Sequence, residues 1–344
     1  MRGGAPVKTA GRRPAMVGAC ANRLPANRPM PSMTVSSSAA PSARPDRRSA
    51  NRATLIGFTA ILMWATLAPL ATLASMVPPF QLVATSFLLA FLVGSGWTFA
   101  RGDNPLRYFR QPLAAWALGV GGLFGFHFLY FMALRTAPPV EANLINYLWP
   151  LLIVLFSALL PGERLRSWHV GGAVAGLAGT VLLIARGGAV GGFSIDPAHL
   201  PGYAAALASA VTWAGYSVLR RRLGQIGEAP TDAVSAFCLV TALLSLLCHL
   251  ALERTVWPET ATGWGALLLL GLGPVGAAFF VWDHGVRHGD IRALGALSYL
   301  APLLSTLLLV LFGLAANSAI IWVACALIAG GSLLASTDLL RGKA

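Results

Sequence analysis

Two stretches decide the fold of this 344-residue chain: Asn146-Tyr147-Leu148-Trp149-Pro150-Leu151-Leu152 and, 152 positions later, Ser298-Tyr299-Leu300-Ala301-Pro302-Leu303-Leu304. Extended without gaps to Gly119–Leu152 and Gly271–Leu304, the alignment holds nine identities in 34 positions. Chance matches between leucines are common in apolar sequence, whereas matched Arg, Pro and Tyr residues are rarer. The chain therefore carries an internal duplication, a feature that many transporters share.

The composition places this duplication in a membrane. Hydrophobic residues make up 56% of the chain, charged residues 11%, and the mean hydropathy is +0.68. A soluble domain carries about 25% charged residues. The net charge of +13 does not indicate nucleic-acid binding, because ten of the 25 Lys and Arg residues lie in the first 52 positions and most others separate apolar runs. The four cysteines have no CxxC spacing, so no disulfide framework or zinc site is expected.

The apolar runs predict an all-α polytopic membrane protein with ten transmembrane helices, since about 20 apolar residues cross the hydrocarbon core. The predicted spans are 53–76, 79–100, 113–134, 140–160, 167–185, 201–220, 233–252, 263–284, 292–312 and 318–337. The predicted domains are a disordered basic cytoplasmic tail at 1–52, a five-helix repeat at 53–187, an extracytoplasmic loop at 188–200 and a second five-helix repeat at 201–340.

Basic residues predict the orientation of these spans. With the amino terminus in the cytoplasm, 22 basic residues fall on that side and only Arg135, Arg186 and Arg254 on the other. Both termini are therefore expected in the cytoplasm. Because each repeat holds an odd number of spans, the second repeat enters the membrane from the opposite side. Such inverted repeats place a binding site near mid-membrane and alternate its access, which predicts a transporter.

Two helix kinks point to the site. Pro150 and Pro302 lie about halfway along spans four and nine, and each removes the partner of the carbonyl four residues earlier, at Asn146 and Ser298. On span four, Asn143, Asn146, Tyr147 and Pro150 share one helical face, and on span nine so do Gly295, Ser298, Tyr299, Pro302 and Thr306. The simpler alternative is that the prolines only kink packed helices. We expect these faces to line a cavity.

Tryptophans and uncharged polar residues suggest what the cavity binds. Trp64, Trp149 and Trp213 lie near the middle of their spans, whereas membrane tryptophans usually occupy the interfaces. Burial among such rings suits an apolar or aromatic side chain. No Lys, Arg, Asp or Glu falls at mid-membrane, and a phosphorylated substrate would require basic groups there. A zwitterion could instead be held by Asn143, Asn146, Ser298 and the freed carbonyls.

The remaining titratable residues favour structural roles. Glu141 and Asp283 lie near span ends and are interpreted as solvated or salt-bridged. His127, inside span three, is interpreted as a hydrogen-bonded structural histidine. Asp283, His284, His288 and Asp290 have spacing that a metal site could use, but they fall at a helix end where titratable residues are ordinary. The glycine clusters at 119–125, 171–179 and 330–331 predict close helix packing.

Several motifs resemble a known family. Leu160-Pro161-Gly162-Glu163-Arg164-Leu165, followed by a glycine-rich span, resembles the EamA-type half-domain of the drug/metabolite transporter superfamily. Asn146 to Pro150, with Leu62-Met63-Trp64-Ala65-Thr66 and Gly330-Gly331-Ser332-Leu333-Leu334, is similar to the bacterial aromatic amino-acid exporter branch. The resemblance implies a ten-helix inner-membrane exporter with a central cavity. The second repeat lacks a counterpart of Glu163, which suggests a structural cap. Span one lacks the central Glu of the small multidrug relatives, which argues against proton antiport by that route.

The function expected is export of aromatic and other hydrophobic neutral amino acids by alternating access, with no enzymatic activity, metal or cofactor. The expected substrate-binding residues are Trp64, Asn143, Asn146, Tyr147, Trp149, Trp213, Ser298 and Tyr299. The expected partners are the lipid bilayer and a small-molecule substrate, a neutral amino acid, and not nucleic acid. Two alternatives remain: export of another metabolite or a lipophilic drug, and an intramembrane metal-dependent enzyme using Asp283, His284 and His288.

Overall fold

A computed structural model describes residues 47–161, 164–186, 197–225, 229–312 and 319–337. Most of the predicted tail, the cap residue Glu163 and most of the predicted loop at 188–200 lie outside the described residues. Across the described ranges the secondary structure is helical, without a strand. The all-α prediction is confirmed.

Fourteen α-helices are assigned within the described residues. They are α1 (Arg47–Ala65), α2 (Leu67–Leu73), α3 (Pro79–Ala100), α4 (Leu113–Thr136), α5 (Pro139–Asn146), α6 (Trp149–Ser157), α7 (Ser167–Arg186), α8 (Leu200–Gln225), α9 (Ala233–Leu252), α10 (Ala261–Leu272), α11 (Ala278–His288), α12 (Ile291–Leu297), α13 (Leu300–Leu311) and α14 (Ala319–Ala335). Short 3-10 helices occur at Pro105–Phe109 and Pro197–His199, and a π-helical turn at Gly273–Ala277 joins α10 to α11. Helix α1 begins inside the stretch predicted as tail.

Six segments of the described chain are long and apolar enough to cross a membrane: Arg48–Leu73, Pro79–Ala100, Leu113–Thr136, Ala233–Leu252, Ala261–His288 and Ile291–Leu308. Two shorter apolar helical segments are Glu141–Ser157 and Ala319–Ala335. Two further long helices are α7, with 20 residues, and α8, with 26 residues. Several apolar segments are assembled from two helices, so the continuous spans predicted from sequence are interrupted in the structure.

The two predicted kinks are helix breaks at equivalent positions of the duplication. Helix α5 ends at Asn146 and α6 begins at Trp149, while α12 ends at Leu297 and α13 begins at Leu300. Pro150 and Pro302 thus fall in the first turn of a helix, where the missing amide costs little. The Ser298 carbonyl, expected to be free, instead accepts a hydrogen bond from the Ala301 amide at 3.1 Å.

Helices from the two halves of the chain pack against each other in pairs. The most extensive pairs are α7 with α14, α4 with α8, α3 with α9 and α1 with α11. Glycine permits two of these contacts: a Cβ on Gly57 would lie 2.8 Å from the Gly285 Cα, and a Cβ on Gly172 would lie 2.4 Å from the Gly331 carbonyl oxygen. The prediction of close packing by the glycines is confirmed for Gly172 and Gly331.

One end of the bundle, which we call the Arg-rich face, holds Arg101, Arg107, Arg164, Arg221 and Arg292. There Arg101 pairs with Asp232 at 2.8 Å, joining the α3–α4 connection to the α8–α9 connection. Arg292 donates to the Arg164 carbonyl at 3.0 Å, joining the start of α12 to the α6–α7 connection. At the opposite face, Glu253 accepts hydrogen bonds from the first amides of α3.

Candidate functional site

A cavity of about 370 Å³ lies between the helices of the two halves. Its lining comes from ten helices, the α2–α3 connection, the α5–α6 break and the π-helical turn. The residues are Trp64, Leu67, Ala71, Ala74, Ser75, Val77, Pro79, Leu82, Val83, Phe126, His127, Tyr130, Phe131, Asn143, Asn146, Tyr147, Trp149, Trp213, Leu270, Pro274, Val275, Phe279 and Ala301. Small-molecule sites typically measure about 300–1,000 Å³, so the cavity fits one small ligand.

Tryptophans form one wall of the cavity. The Trp64 ring lies 6.0 Å from Trp149 and 5.8 Å from Trp213, both at near-perpendicular angles. Trp64 Nε1 donates to the Pro274 carbonyl at 3.0 Å, which fixes the indole against the π-helical turn. The three tryptophans expected from sequence thus come together, from α1, α6 and α8.

A fourth tryptophan, Trp282, lies behind this wall and was not among the substrate-binding residues expected from the sequence. Trp282 is fully buried, 5.1 Å from Trp64 and 6.2 Å from Trp213, and donates to Ser217 Oγ at 3.1 Å. At the offset of 152, Trp282 corresponds to Tyr130, which lines the cavity. The repeat alignment therefore contained a signal for both residues.

Two asparagines present uncharged polar groups to the cavity. Asn143 Oδ1 accepts a hydrogen bond from the Tyr130 hydroxyl, and Asn146 Oδ1 accepts one from Ser209 Oγ at 2.6 Å. With both carbonyl oxygens engaged, the amide NH₂ groups are the donors that these side chains offer. Such donors suit a carboxylate or carbonyl of a ligand.

His127 also lines the cavity, although its sequence position suggested a purely structural role. Its Nδ1 lies 2.7 Å from the Leu123 carbonyl, so this nitrogen carries the proton and Nε2 is an acceptor. Phe87, Phe126 and Phe279 surround the imidazole at ring distances of 5.2 to 6.0 Å. The hydrogen bond expected from sequence is present, together with a position at the cavity.

The structure places Tyr299 outside the cavity lining. Its side chain is fully buried, and its hydroxyl accepts from the Leu151 amide at 3.2 Å and donates to the Tyr147 carbonyl at 3.3 Å. In an uninterrupted helix the Leu151 amide would donate directly to the Tyr147 carbonyl. The Tyr299 hydroxyl is thus inserted in the backbone ladder of span four, a known cause of helix breaks.

Ser298 likewise lies outside the cavity lining. It is fully buried, and its Oγ donates to the Leu294 carbonyl at 2.7 Å within its own helix. Of the eight residues expected to bind substrate, six line the cavity and these two lie outside the lining.

The described lining of the cavity contains no Asp, Glu, Lys or Arg. Glu141 accepts a hydrogen bond from the Tyr203 hydroxyl, and Asp283 forms a buried ion pair with Arg220. Both acids therefore have the structural partners that the sequence suggested. Asp290 caps α12 by accepting from the Arg292 and Ala293 amides. Among the described residues, no group of three or more His, Cys, Asp or Glu side chains is placed to hold a metal ion.

Comparison with known proteins gives consistent matches over most of the chain. The EamA-like transporter family model matches residues 51–185 and 200–337. The chain is 55% identical over 288 residues to the aromatic amino acid exporter YddG of Ancylobacter novellus, covering 84% of this chain and 98% of the relative. It is 26% identical over 310 residues to YddG of Escherichia coli K12, covering 85% and 99% respectively.

A solved crystal structure with 53% sequence identity superimposes with a TM-score of 0.78, covering 85% of this chain and all of that one. The two family matches correspond to two copies of the family domain in one chain, and the family is one of transporters and not of enzymes. With its apolar helices and these matches over most of its length, the chain is a multi-pass membrane protein that belongs to the EamA-like transporter family.

Proposed function

We propose that this protein exports aromatic and other hydrophobic neutral amino acids across the bacterial inner membrane by alternating access around the cavity described above. The observation that carries this proposal is the combination of a tryptophan wall with uncharged polar groups in one cavity. A relative at 55% identity that is named an aromatic amino acid exporter supports the same substrate class.

Each part of the cavity has a proposed role. Trp64, Trp149 and Trp213 bury the apolar side chain of the substrate, since edge and face contacts between aromatic rings are favourable. Asn143 and Asn146 donate their amide hydrogens to the substrate carboxylate. Tyr147, beside them at the helix break, provides a further hydroxyl. A neutral zwitterion requires no fixed ionic partner in such a site.

In this proposal Tyr299 acts on the substrate indirectly, whereas Ser298 bonds to the Leu294 carbonyl and has no contact with the substrate in this state. The Tyr299 hydroxyl holds open the break between α5 and α6, which positions Tyr147 and Trp149. Pro150 and Pro302 permit the two breaks because each starts a new helix.

For the architecture, we propose ten spans arranged as two inverted five-helix repeats, at 53–187 and 201–340, joined by the extracytoplasmic loop at 188–200. Two helix pairings support the inversion: α1 packs on α11 as α8 packs on α4. Helices α1 and α4 are spans one and three of the first repeat, and α8 and α11 are the equivalent spans six and eight of the second. Exchanging the two repeats therefore converts the pair α1–α11 into the pair α8–α4. The Arg-rich face is proposed to be cytoplasmic, with both termini on that side.

The test is transport of labelled L-tryptophan in proteoliposomes. We expect Trp149→Ala to lower the transport rate roughly tenfold or more, because truncating a buried aromatic anchor commonly costs more than about 2 kcal/mol of binding energy. Trp322→Ala is the matched control, since Trp322 lies on α14 and is 60% exposed. Transport by Trp149→Ala at the rate of Trp322→Ala would remove the tryptophan wall from the site. Inhibition by lipophilic cationic dyes, without inhibition by aromatic amino acids, would favour a drug exporter instead.

A further inference from the structure

A fully buried ion pair lies next to the cavity without lining it. Arg220 on α8 and Asp283 on α11 each have 0% exposed side chains. Arg220 Nε donates to Asp283 Oδ1 at 2.5 Å and Nη2 donates to Oδ2 at 3.0 Å. Thr231 Oγ1 adds a third hydrogen bond to Oδ2 at 2.7 Å. This is the bidentate geometry in which arginine best recognises a carboxylate.

The position of this pair relates it to the path of the substrate. Asp283 directly follows Trp282, whose ring contacts Trp64 and Trp213 at the tryptophan wall. Arg220 lies two turns beyond Trp213 along α8, in the direction of the Arg-rich face. The cavity, in contrast, extends to Ser75 and Val77 in the α2–α3 connection at the opposite face. The tryptophan wall and the ion pair thus separate the cavity from the Arg-rich face.

The energetics of a buried ion pair argue against a role in stability alone. Replacing such a pair by apolar residues is often neutral or stabilising, whereas separating the two charges is strongly destabilising. Opening the bundle at this point would separate Arg220 from Asp283. A molecule that carries both a carboxylate and an ammonium would offset this cost, because it supplies each ion with a new partner.

We propose that Arg220 and Asp283 form a second binding site, the loading site for a zwitterionic amino acid on the Arg-rich face. When α8 and α11 move apart, the guanidinium of Arg220 binds the substrate carboxylate and the carboxylate of Asp283 binds its ammonium. The amino acid then passes the tryptophan wall, and the ion pair closes behind it. The proposal rests on the proposed export function and adds a cause for zwitterion selectivity, since an amine or an acid alone leaves one ion unpaired.

Differential binding also explains how the substrate would open its own path. A ligand shifts a conformational equilibrium only if it binds one state better than the other. In the closed state, Arg220 and Asp283 are paired with each other and fully buried, so no ligand can reach them. In the open state both ions are available, so a zwitterion stabilises that state and an uncharged analogue does not.

The experiment compares two double variants in proteoliposomes that report transport from the Arg-rich face. Arg220→Met with Asp283→Leu removes both buried charges at similar volume. Arg101→Met with Asp232→Leu removes the exposed ion pair of the same face and serves as the matched control. The probes are L-tryptophan, tryptamine and indole-3-propionate, which carry both charges, the amine alone and the acid alone.

We expect the Arg220/Asp283 double variant to transport L-tryptophan roughly tenfold more slowly than the control, in line with typical coupling energies between ligands and conformational states. We also expect it to lose the preference for L-tryptophan over tryptamine and indole-3-propionate, which a purely structural defect would not alter selectively. A wild-type rate with unchanged preference would overturn the loading site.

Arg220→Lys covers the case in which the double variant does not fold. Lysine keeps the positive charge but loses the two parallel hydrogen bonds, so the preference for the zwitterion should fall while the protein still folds. An unchanged preference in Arg220→Lys would again overturn the proposal. Failure of the wild-type protein to transport any aromatic amino acid would overturn the proposed export function itself, and this result is read before any variant is compared.

Discussion

Replacing Tyr299 by Phe tests how the cavity is held in shape. The substitution removes only the hydroxyl that lies between the Leu151 amide and the Tyr147 carbonyl. The ring, which packs against Gly176, keeps its place. Two hydrogen bonds are lost, and a buried amide left unpaired costs about 1 to 3 kcal/mol.

The size of the effect on substrate binding depends on whether the break between α5 and α6 closes into a continuous helix. If the Leu151 amide pairs directly with the Tyr147 carbonyl, span four straightens and most of the lost stability returns. The straightened helix displaces Tyr147 and Trp149, both of which line the cavity. If only the broken helix binds substrate, restoring that shape costs about 1.4 kcal/mol, which weakens binding about tenfold.

The assay is quenching of intrinsic tryptophan fluorescence by an aromatic amino acid in detergent, together with thermal unfolding. Tyr108→Phe is the matched control, because Tyr108 donates to Asp232 at the Arg-rich face and lies away from the cavity. We expect Tyr299→Phe to raise the Kd about tenfold with a small decrease in thermal stability. A Kd equal to that of Tyr108→Phe would refute the role of the hydroxyl in positioning the break. Complete loss of binding would instead indicate that Tyr299 contacts the substrate directly.

Two further substitutions probe packing and recognition. Gly285→Ala should lower thermal stability, because its Cβ would lie 2.5 Å from the Gly57 Cα; Gly265→Ala, with open space around it, should leave stability unchanged or raise it by up to about 1 kcal/mol. Equal unfolding temperatures would contradict the close approach of α1 and α11. Asn146→Leu removes the NH₂ group proposed to donate to the substrate carboxylate, together with the oxygen that accepts from Ser209. It should weaken binding of L-tryptophan about tenfold, while binding of indole, which has no carboxylate, changes little. Parallel losses for both ligands, measured by fluorescence titration, would show that Asn146 only maintains the fold.

The predicted site residues that line the cavity are those whose signal depends on a local pattern. Trp64, Trp149 and Trp213 were selected because tryptophan is unusual at mid-span, and all three line the cavity. Asn143 and Asn146 share a face within α5, which is continuous over those residues, so helical spacing predicted their common exposure. In both cases the prediction uses residues that lie within one uninterrupted helix.

Tyr299 and Ser298 lie outside the cavity lining for a related reason. The face drawn through Ser298, Tyr299 and Pro302 assumed one continuous helix, but α12 ends before Ser298 and α13 begins after Tyr299. A break changes both the direction and the rotation of the chain, so spacing across it no longer defines a face. The duplication located the break without indicating which side chain would fill it.

Arg220 shows a second limit, which concerns charge. Arg220 is the first of three consecutive arginines, a pattern that predicts a solvated helix end. Its side chain is nevertheless fully buried. A helical signal was present, since Trp213, Tyr216, Ser217 and Arg220 recur at spacings of three and four residues. Its partner Asp283 shares a face with Phe279 and Trp282. Only the packing of α8 on α11 shows that the two charges meet.

The unequal environments of Tyr147 and Tyr299 connect the duplication to the transport cycle. The two residues are equivalent in sequence, but Tyr147 lines the cavity while Tyr299 fills the break beside it. In an inverted repeat, the alternate access state exchanges the environments of equivalent residues. Tyr147 would then insert between the Tyr299 carbonyl and the Leu303 amide, and Tyr299 would face a cavity open toward the Arg-rich face. The same two hydroxyls would serve alternately as a wedge and as part of the lining. In the proposed cycle, Ser298 and Tyr299 would belong to the substrate path in the state that loads the substrate, which would also be the state in which Arg220 and Asp283 are separated.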